Sequence, residues 1–283
     1  MKPLRIISKI DIKNYNVVKT INLEGLRVLG KAEDFAKFYY NQNIDEIIYH
    51  DVVASLYGKN SLINIIRNTA KNIFVPLTVS GGIRSLKDIK NVLDAGADKV
   101  SINSEAIKRP IFLKEASREF GSSTISLSIE AVSNKNGNLE AYYENGRTPS
   151  GIKVIDWILK AQDLGVGEII IIFVDTEGTG KGINFLDLKK IENYINVPLI
   201  VNGGIGNLNH ILEIANNFKL ISGIAIGSLL HYSLFGKLTN TSNCNSEGNF
   251  DFVKNNTYHS KFNNMSVKKI KSFLKKNKIL CRE

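Results

Sequence analysis

Asp11 and Glu130 each close an apolar run, Ile6-Ile7-Ser8-Lys9-Ile10-Asp11 and Ile125-Ser126-Leu127-Ser128-Ile129-Glu130. Two carboxylates facing one cavity from opposite sides can divide the work of proton donor and proton acceptor. Either acid alone would as readily cap a loop amide; their matched placement favours chemistry. A second pair of stretches repeats a different feature. Val75-Pro76-Leu77-Thr78-Val79-Ser80-Gly81-Gly82-Ile83-Arg84 returns as Val197-Pro198-Leu199-Ile200-Val201-Asn202-Gly203-Gly204-Ile205-Gly206. Each is an apolar run ended by a Gly-Gly turn. The glycines permit a tight turn that exposes backbone N–H groups, and such groups ahead of a helix start form a cradle for phosphate. One such turn is commonly no more than a turn; two in the same local context point to two cradles. Asn103-Ser104 and Gly227-Ser228 close the strands that follow and belong with them. A ligand with a phosphate at each end would span the two cradles and place its middle between Asp11 and Glu130. Lys19 lies on Val17-Val18-Lys19, an extended loop or small hairpin arm, and could clamp one phosphate. Its alternative reading is a solvated surface lysine.

These residues need strands to hold them. Spacing predicts strands over 5–10, 46–50, 75–79, 99–103, 124–131, 168–174, 199–201 and 223–227. Helical patterns fall between them at 32–42, 62–70, 86–95, 106–120, 154–164, 186–194 and 208–217. Residues 133–148 read as a long polar loop with a small hairpin, and 177–182 as a flexible Gly-rich loop. Glu46-Ile47-Ile48 precedes the first Gly-Gly turn at the same distance as Glu168-Ile169-Ile170 precedes the second, so the likeness covers half of the chain. That period indicates a duplicated half-domain. Alternating strands and helices give a parallel sheet with right-handed crossovers. The duplication of four strands favours a closed (β/α)8 barrel, an α/β fold, over an open doubly wound sheet. A barrel takes about 250 residues, so the 283 residues accommodate one barrel domain over 1–283. Residues 235–264, rich in Asn, Ser and Thr, form an irregular surface insertion before a last helix over 267–276. Chemistry in such barrels lies at the C-terminal strand ends, which here carry Asp11, Asp51, Gly81, Gly82, Asn103, Ser104, Glu130, Asp175, Gly203, Gly204, Gly227 and Ser228. At the other end, Arg5, Glu46, Lys99 and Glu168 sit at or near strand starts. Charges there are commonly solvated, but four of mixed sign can pair into a gate beneath the barrel.

The formal net charge is +10. The lysines are scattered through helical segments and concentrate in the last helix, so a solvated face explains them better than nucleic-acid binding. A positive field still collects a phosphorylated anion. Cys244 and Cys281 are the two cysteines, with neither a disulfide framework nor metal-ligand spacing, and no metal or cofactor is expected. No apolar run has membrane-spanning length, and the N-terminal residues lack a signal-peptide core. A soluble cytoplasmic protein is the expectation.

Four motifs together carry a family resemblance: Val18-Lys19-Thr20-Ile21-Asn22, Pro76-Leu77-Thr78-Val79-Ser80-Gly81-Gly82-Ile83-Arg84-Ser85, Ala95-Gly96-Ala97-Asp98-Lys99-Val100-Ser101-Ile102-Asn103 and Leu164-Gly165-Val166-Gly167-Glu168-Ile169. From the N-terminus to about His231 the sequence resembles the cyclase subunit of imidazole glycerol phosphate synthase. The resemblance implies a glutaminase partner docked under the barrel, whose ammonia passes the gate and the barrel's centre. At the top it would meet a ribulosyl aminoimidazole carboxamide nucleotide carrying two phosphates. The products would be imidazole glycerol phosphate and an aminoimidazole carboxamide ribotide, in histidine biosynthesis. The two family acids fall on Asp11 and Glu130, and the gate on Arg5, Glu46, Lys99 and Glu168. The phosphate positions fall on Gly82, Asn103, Ser104, Gly204, Gly227 and Ser228, and a partner-facing position on Asp98.

The chain also departs from that pattern. Glu130 stands for an Asp, one methylene longer, against a tolerance of about 0.5 Å in catalytic geometry. Lys9 replaces a Cys, Ser80 a Gly, Ile172-Phe173 a Thr-Ser pair, and Glu177 a loop Asp counted among the substrate-binding residues. These changes gather on the upper face, and the gate is intact. The departures leave two further readings beside the cyclase. One is a paralogue that delivers ammonia for sugar amidation in surface polysaccharide synthesis. The other is a non-catalytic scaffold for the glutaminase.

Overall fold

Each half of the chain lays down a strand, a hairpin and three more strands. The structure, a computed structural model, describes residues 3–54, 62–134, 136–234 and 265–282. In the first half β1 (Arg5–Lys13) is followed by the hairpin β2 (Asn16–Ile21) and β3 (Glu24–Lys31), then β4 (Glu46–Asp51), β5 (Leu77–Ser80) and β6 (Lys99–Ile102). In the second, β7 (Ile125–Ser133) is followed by the hairpin β8 (Leu139–Tyr143) and β9 (Thr148–Lys153). Then come β10 (Glu168–Phe173), β11 (Leu199–Asn202) and β12 (Ile221–Ile226). The eight strands outside the hairpins pair in parallel in the order β1, β4, β5, β6, β7, β10, β11, β12, and β12 pairs with β1. The sheet is therefore a closed (β/α)8 barrel.

The strands are short runs of Ile and Val bounded by turn residues, and helices cover their outer face, so both faces are buried. Alternation then decides which side chain goes where. On β10, Ile169, Ile171 and Phe173 pack outward in the main core. Ile170 and Ile172 point inward, where they meet Ile7, Ile48, Ile200 and Ala225. On β1 the same parity sends Arg5, Ile7, Lys9 and Asp11 up the barrel axis in that order.

Ten α-helices are described: α1 (Ala32–Tyr40), α2 (Ile63–Ala70), α3 (Leu86–Asp94), α4 (Ser104–Lys108), α5 (Ile111–Phe120), α6 (Val154–Asp163), α7 (Phe185–Glu192), α8 (Leu208–Asn217), α9 (Ser228–His231) and α10 (Val267–Lys276). Ser85, Asn184, Asn207 and Ser266 cap α3, α7, α8 and α10 with side-chain oxygens. The expected helix over 106–120 is two helices. Pro110 disfavours a helical conformation at the residue before it, and Arg109 is displaced to φ −139°, ψ 79°. The small hairpin expected within the polar loop over 133–148 is present as β8 and β9, and β7 runs on to Ser133. Val17-Val18-Lys19 resolves as a hairpin arm, so Lys19 lies on a strand and is fully buried. That corrects the solvated reading of Lys19. The insertion expected over 235–264 lies outside the described residues.

The last helix returns to the base of the barrel. Lys271 Nζ pairs with Asp45 Oδ1 at 2.6 Å, while Asp45 Oδ2 accepts the Ile6 N–H at 2.7 Å. The Leu4 N–H donates to the Leu280 carbonyl. Asp45 and Lys271 are both buried. Removing one partner of a buried pair strands the other charge, at a cost of about 3–5 kcal/mol. Asp45→Ala is expected to lower the unfolding free energy by that order in a urea titration. The double change Asp45→Asn with Lys271→Met, which leaves no buried charge, is expected to lower it less.

Candidate active site

At the base of the barrel four charged side chains alternate in sign. Arg5 bonds Glu46 Oε2 and Glu168 Oε1, each at 2.7 Å, and Lys99 Nζ bonds Glu46 Oε1 and Glu168 Oε2, each at 2.9 Å. Thr78 Oγ1 donates to Glu46 at 2.8 Å, and Ser222 Oγ accepts from Arg5 at 2.9 Å. Burial opposes the charge on Glu168, but Lys99 and Arg5 outweigh it and hold its carboxyl below the usual range. Asp98 lies beside this ring at the same end. Its carboxylate accepts the Leu77 N–H at 2.8 Å, and it lines a groove with Pro76, Gly96 and Phe74. The Phe74 ring is 80% exposed. Above the ring lies the belt of Ile7, Ile48, Ile170, Ile172, Ile200 and Ala225.

A second set of buried charges lies above the belt. Lys9 Nζ bonds Asp11 Oδ1, and Lys19 Nζ bonds Asp11 Oδ2 at 2.9 Å and Glu177 Oε1 at 2.8 Å. Burial pushes the Asp11 carboxyl up, but Lys19 and Lys9 more than offset this and hold it far below the usual carboxylate range. Burial likewise opposes the charge on Lys19, and Asp11 and Glu177 restore it, so its ammonium persists above the ordinary lysine range. Glu130 has a different setting. It is buried, and among the described residues it forms no ion pair. Its Oε2 accepts the Gly146 N–H at 2.7 Å. Burial pushes its carboxyl up to about 7, against the smaller opposing pulls of Gly146, Asn103 and Lys9.

The two Gly-Gly turns form pockets on either side of these acids. Gly81 (φ 92°) and Gly82 (φ 74°) line one with Asn103, Ser104 and Glu130. A side chain at Gly81 would strike the Asp51 carbonyl, and φ there is unsuited to L residues. Gly203, Gly204, Gly227 and Ser228 line the other with Glu177. There a Cβ on Gly203 would fall 2.6 Å from the Phe173 carbonyl oxygen. The buried Ser228 hydroxyl has no hydrogen-bond partner among the described residues, so a donor is available to an anion in this pocket. Asp175 stands apart. Its carboxylate accepts the Ser133 N–H at 2.8 Å, and it is absent from the lining of either pocket. Ile172 does project into the barrel, and Phe173 packs outward in the main core.

Sequence reasoning did not single out His50 and Asn145, which line the first pocket. Burial, and then the Lys9 ammonium, lower the His50 imidazole to about 4, so it is neutral near pH 7. The signal was present in the alternation: His50 has the parity of Glu46 and Ile48, both inward-facing. His231 is also buried and neutral, lowered to about 3 chiefly by burial. Its Nε2–H donates to the Lys9 carbonyl at 2.8 Å, and Nδ1 accepts from Tyr39 at 2.7 Å, fixing the backbone beneath the Lys9 side chain. Among the described residues no group of His, Cys, Asp and Glu could hold a metal ion, and no helix is long and apolar enough to cross a membrane.

Fold and site together define a closed (β/α)8 barrel with two glycine-lined rim pockets around buried carboxylates and a charged floor. A family model described as histidine biosynthesis protein matches residues 5–236, and the chain belongs to that family. The chain is 45% identical over 208 residues to the imidazole glycerol phosphate synthase subunit HisF of Legionella pneumophila, covering 74% of this chain and 98% of the relative. It is 38% identical over 229 residues to the subunit of the same name from Lactococcus lactis subsp. cremoris strain MG1363, covering 81% and 88%. With that of Streptococcus sanguinis strain SK36 the identity is 36% over 228 residues, covering 81% and 90%.

The position of Glu130 has a cost that can be measured. Its folded carboxyl titrates near 7 and its unfolded one near 4.5, so the folded state binds the proton more tightly. Stability from this group therefore falls as pH rises from about 4.5 to about 7, by an order of about 3 kcal/mol. Glu130→Gln removes the titration and keeps an oxygen for the Gly146 N–H. The variant is expected to melt higher than the parent above pH 7, with the gap closing towards pH 4.5 in a series of thermal scans.

Proposed function

We propose that the chain is the cyclase subunit of an imidazole glycerol phosphate synthase. In that role it uses ammonia from a glutaminase subunit to convert a ribulosyl aminoimidazole carboxamide nucleotide to imidazole glycerol phosphate and an aminoimidazole carboxamide ribotide. The observation that carries this reading is the vertical order inside one barrel: an ion-paired ring, an apolar belt, then buried acids between two anion pockets. Ammonium cannot cross an apolar belt without losing its hydration, whereas neutral ammonia can. The ring of Arg5, Glu46, Lys99 and Glu168 is neutral in sum and would part to admit it. Asp98 and the exposed Phe74 ring would face the glutaminase.

At the top, the pocket of Gly81, Gly82, Asn103 and Ser104 would hold one phosphate. The pocket of Gly203, Gly204, Gly227 and Ser228 would hold the other. Glu177 and Lys19 support the second pocket from beneath. The substrate's ketone carbon then lies over the acids. Ammonia adds to it, and the carbonyl oxygen leaves as water, which requires a proton donor. The new nitrogen attacks the formimino carbon, the bond to the aminoimidazole ribotide breaks, and the departing amine takes a proton while the ring loses one. Glu130 suits the donor role and Asp11 the stabilisation of developing positive charge. The names borne by the relatives favour this reading over the sugar-amidating one.

Ammonium-driven turnover of the ribulosyl nucleotide, without partner, tests the proposal. Cyclisation is expected from the parent chain. Glu130→Gln is expected to lower kcat by about 10²–10⁴-fold, the usual worth of a positioned acid or base, and Asp11→Asn by about 10²–10³-fold, the usual worth of one preorganised electrostatic group. A folded parent chain that consumes no nucleotide would reject the reading.

A further inference from the structure

Lys9 stands in the barrel interior on the strand that carries Asp11, and the reaction as described gives it no task. It is 2% exposed, its ammonium bonds Asp11 Oδ1, and Lys19 occupies the other Asp11 oxygen. Both oxygens of one carboxylate are thus taken by cations, with Glu177 balancing Lys19. A proton on Asp11 would leave two buried ammoniums facing one carboxylate, an arrangement that burial strongly disfavours. The remaining groups that face this cluster are His50 from β4, Asn103 from β6, Asn145 and the Gly146 N–H from the turn between β8 and β9, Glu130 from β7, and His231 from α9, whose Nε2–H donates to the Lys9 carbonyl. Of these, Glu130 is the acid with no cation at ion-pair distance among the described residues.

Given the cyclase reading above, we propose that Lys9 is a positioning residue that holds Asp11 as a permanent carboxylate and leaves Glu130 as the one proton-carrying acid. The longer side chain at position 130 and the lysine at position 9 then belong together. With Asp11 tied on both oxygens, the opposite acid has to reach for the substrate's departing oxygen unaided. The extra methylene of Glu lengthens that reach. Lys9 also adds a cation beneath the site, which bears on Glu130 at longer range.

Carboxyl-labelled Asp and Glu in the full chain, followed by carbon NMR without substrate, test the assignment, with Glu130→Gln identifying its signal. In the parent the Asp11 signal should stay flat across the accessible acid range while Glu130 titrates near 7. In Lys9→Met the Asp11 midpoint should rise by about 1–3 pH units, as expected when a neighbouring opposite charge is lost. The Glu130 midpoint should rise as well, and Lys9→Arg should restore both. The neutral-pH limb of the kcat/KM profile should move with Glu130 in the same variants, with kcat rather than KM bearing the loss. Lys9→Gln is measured alongside, so that a variant that fails to fold leaves the other to decide. Titrations and profile unmoved in a folded neutral variant would overturn the role of Lys9. The expected titrations in a chain that turns over no nucleotide would instead overturn the cyclase reading.

Discussion

Charge placed inside a barrel has to be neutralised inside the barrel. Eight strands leave an interior too narrow for bulk water, and an isolated ion there is prohibitively costly. The chain meets this constraint twice. At the floor Arg5 and Lys99 interleave with Glu46 and Glu168; at the roof Lys9 and Lys19 interleave with Asp11 and Glu177. Each quartet sums to zero. Between them the isoleucines of β1, β4, β10 and β11 fill the interior and keep the two sets from pairing with each other. Strand parity allows one residue in two to enter, which sets Arg5, Ile7, Lys9 and Asp11 of β1 at successive levels through these layers.

The excess lies with Glu130. It is the acid left over when the roof quartet is complete, and burial without a counter-ion keeps it protonatable near neutrality. Asp11 and Glu130 occupy equivalent strand ends in a duplicated fold, yet they are held in opposite states. Environment rather than residue type sets the two carboxyls apart: paired cations hold one low and unpaired burial raises the other.

Much of this order was legible in the sequence because its cause is periodic. Ile-rich runs ending in Gly-Gly or an acid give the strands, and a repeat of four gives closure. The charges at strand starts become a ring because Arg5, Glu46, Lys99 and Glu168 share inward parity. What was not legible depended on contacts between distant segments. Lys19 reads as a phosphate clamp or a solvated lysine on a loop, and nothing local shows that the β2–β3 hairpin folds back along β1 and buries it under Gly227, whose Cβ position lies 3.0 Å from Lys19 Nζ. Asp175 reads as a rim acid by its place after β10, but the overrun of β7 to Ser133 supplies an N–H that takes its carboxylate. The break at Pro110 could have been read from the proline, and the helical periodicity on either side concealed it.

The hairpins explain how duplication produced asymmetry. Each half inserts one directly after its first strand, β2–β3 after β1 and β8–β9 after β7, and each delivers one group to the acid on that strand. The first brings the Lys19 ammonium to Asp11; the second brings the Gly146 N–H to Glu130. A full charge fixes one acid as an anion, whereas a single neutral donor leaves the other free to hold a proton. The two hairpins also meet over the mouth of the barrel, where Asn145 Nδ2 donates to the Leu23 carbonyl at 3.2 Å. Gly146 is held at φ 74° with Leu23 and Val174 closing on the position its Cβ would take. Placement of the Glu130 donor thus depends on a crowded, positive-φ position that favours glycine, pinned by the hairpin of the other half. The acid that carries the proton is positioned by contact between the halves, and the acid that stays charged is positioned within its own.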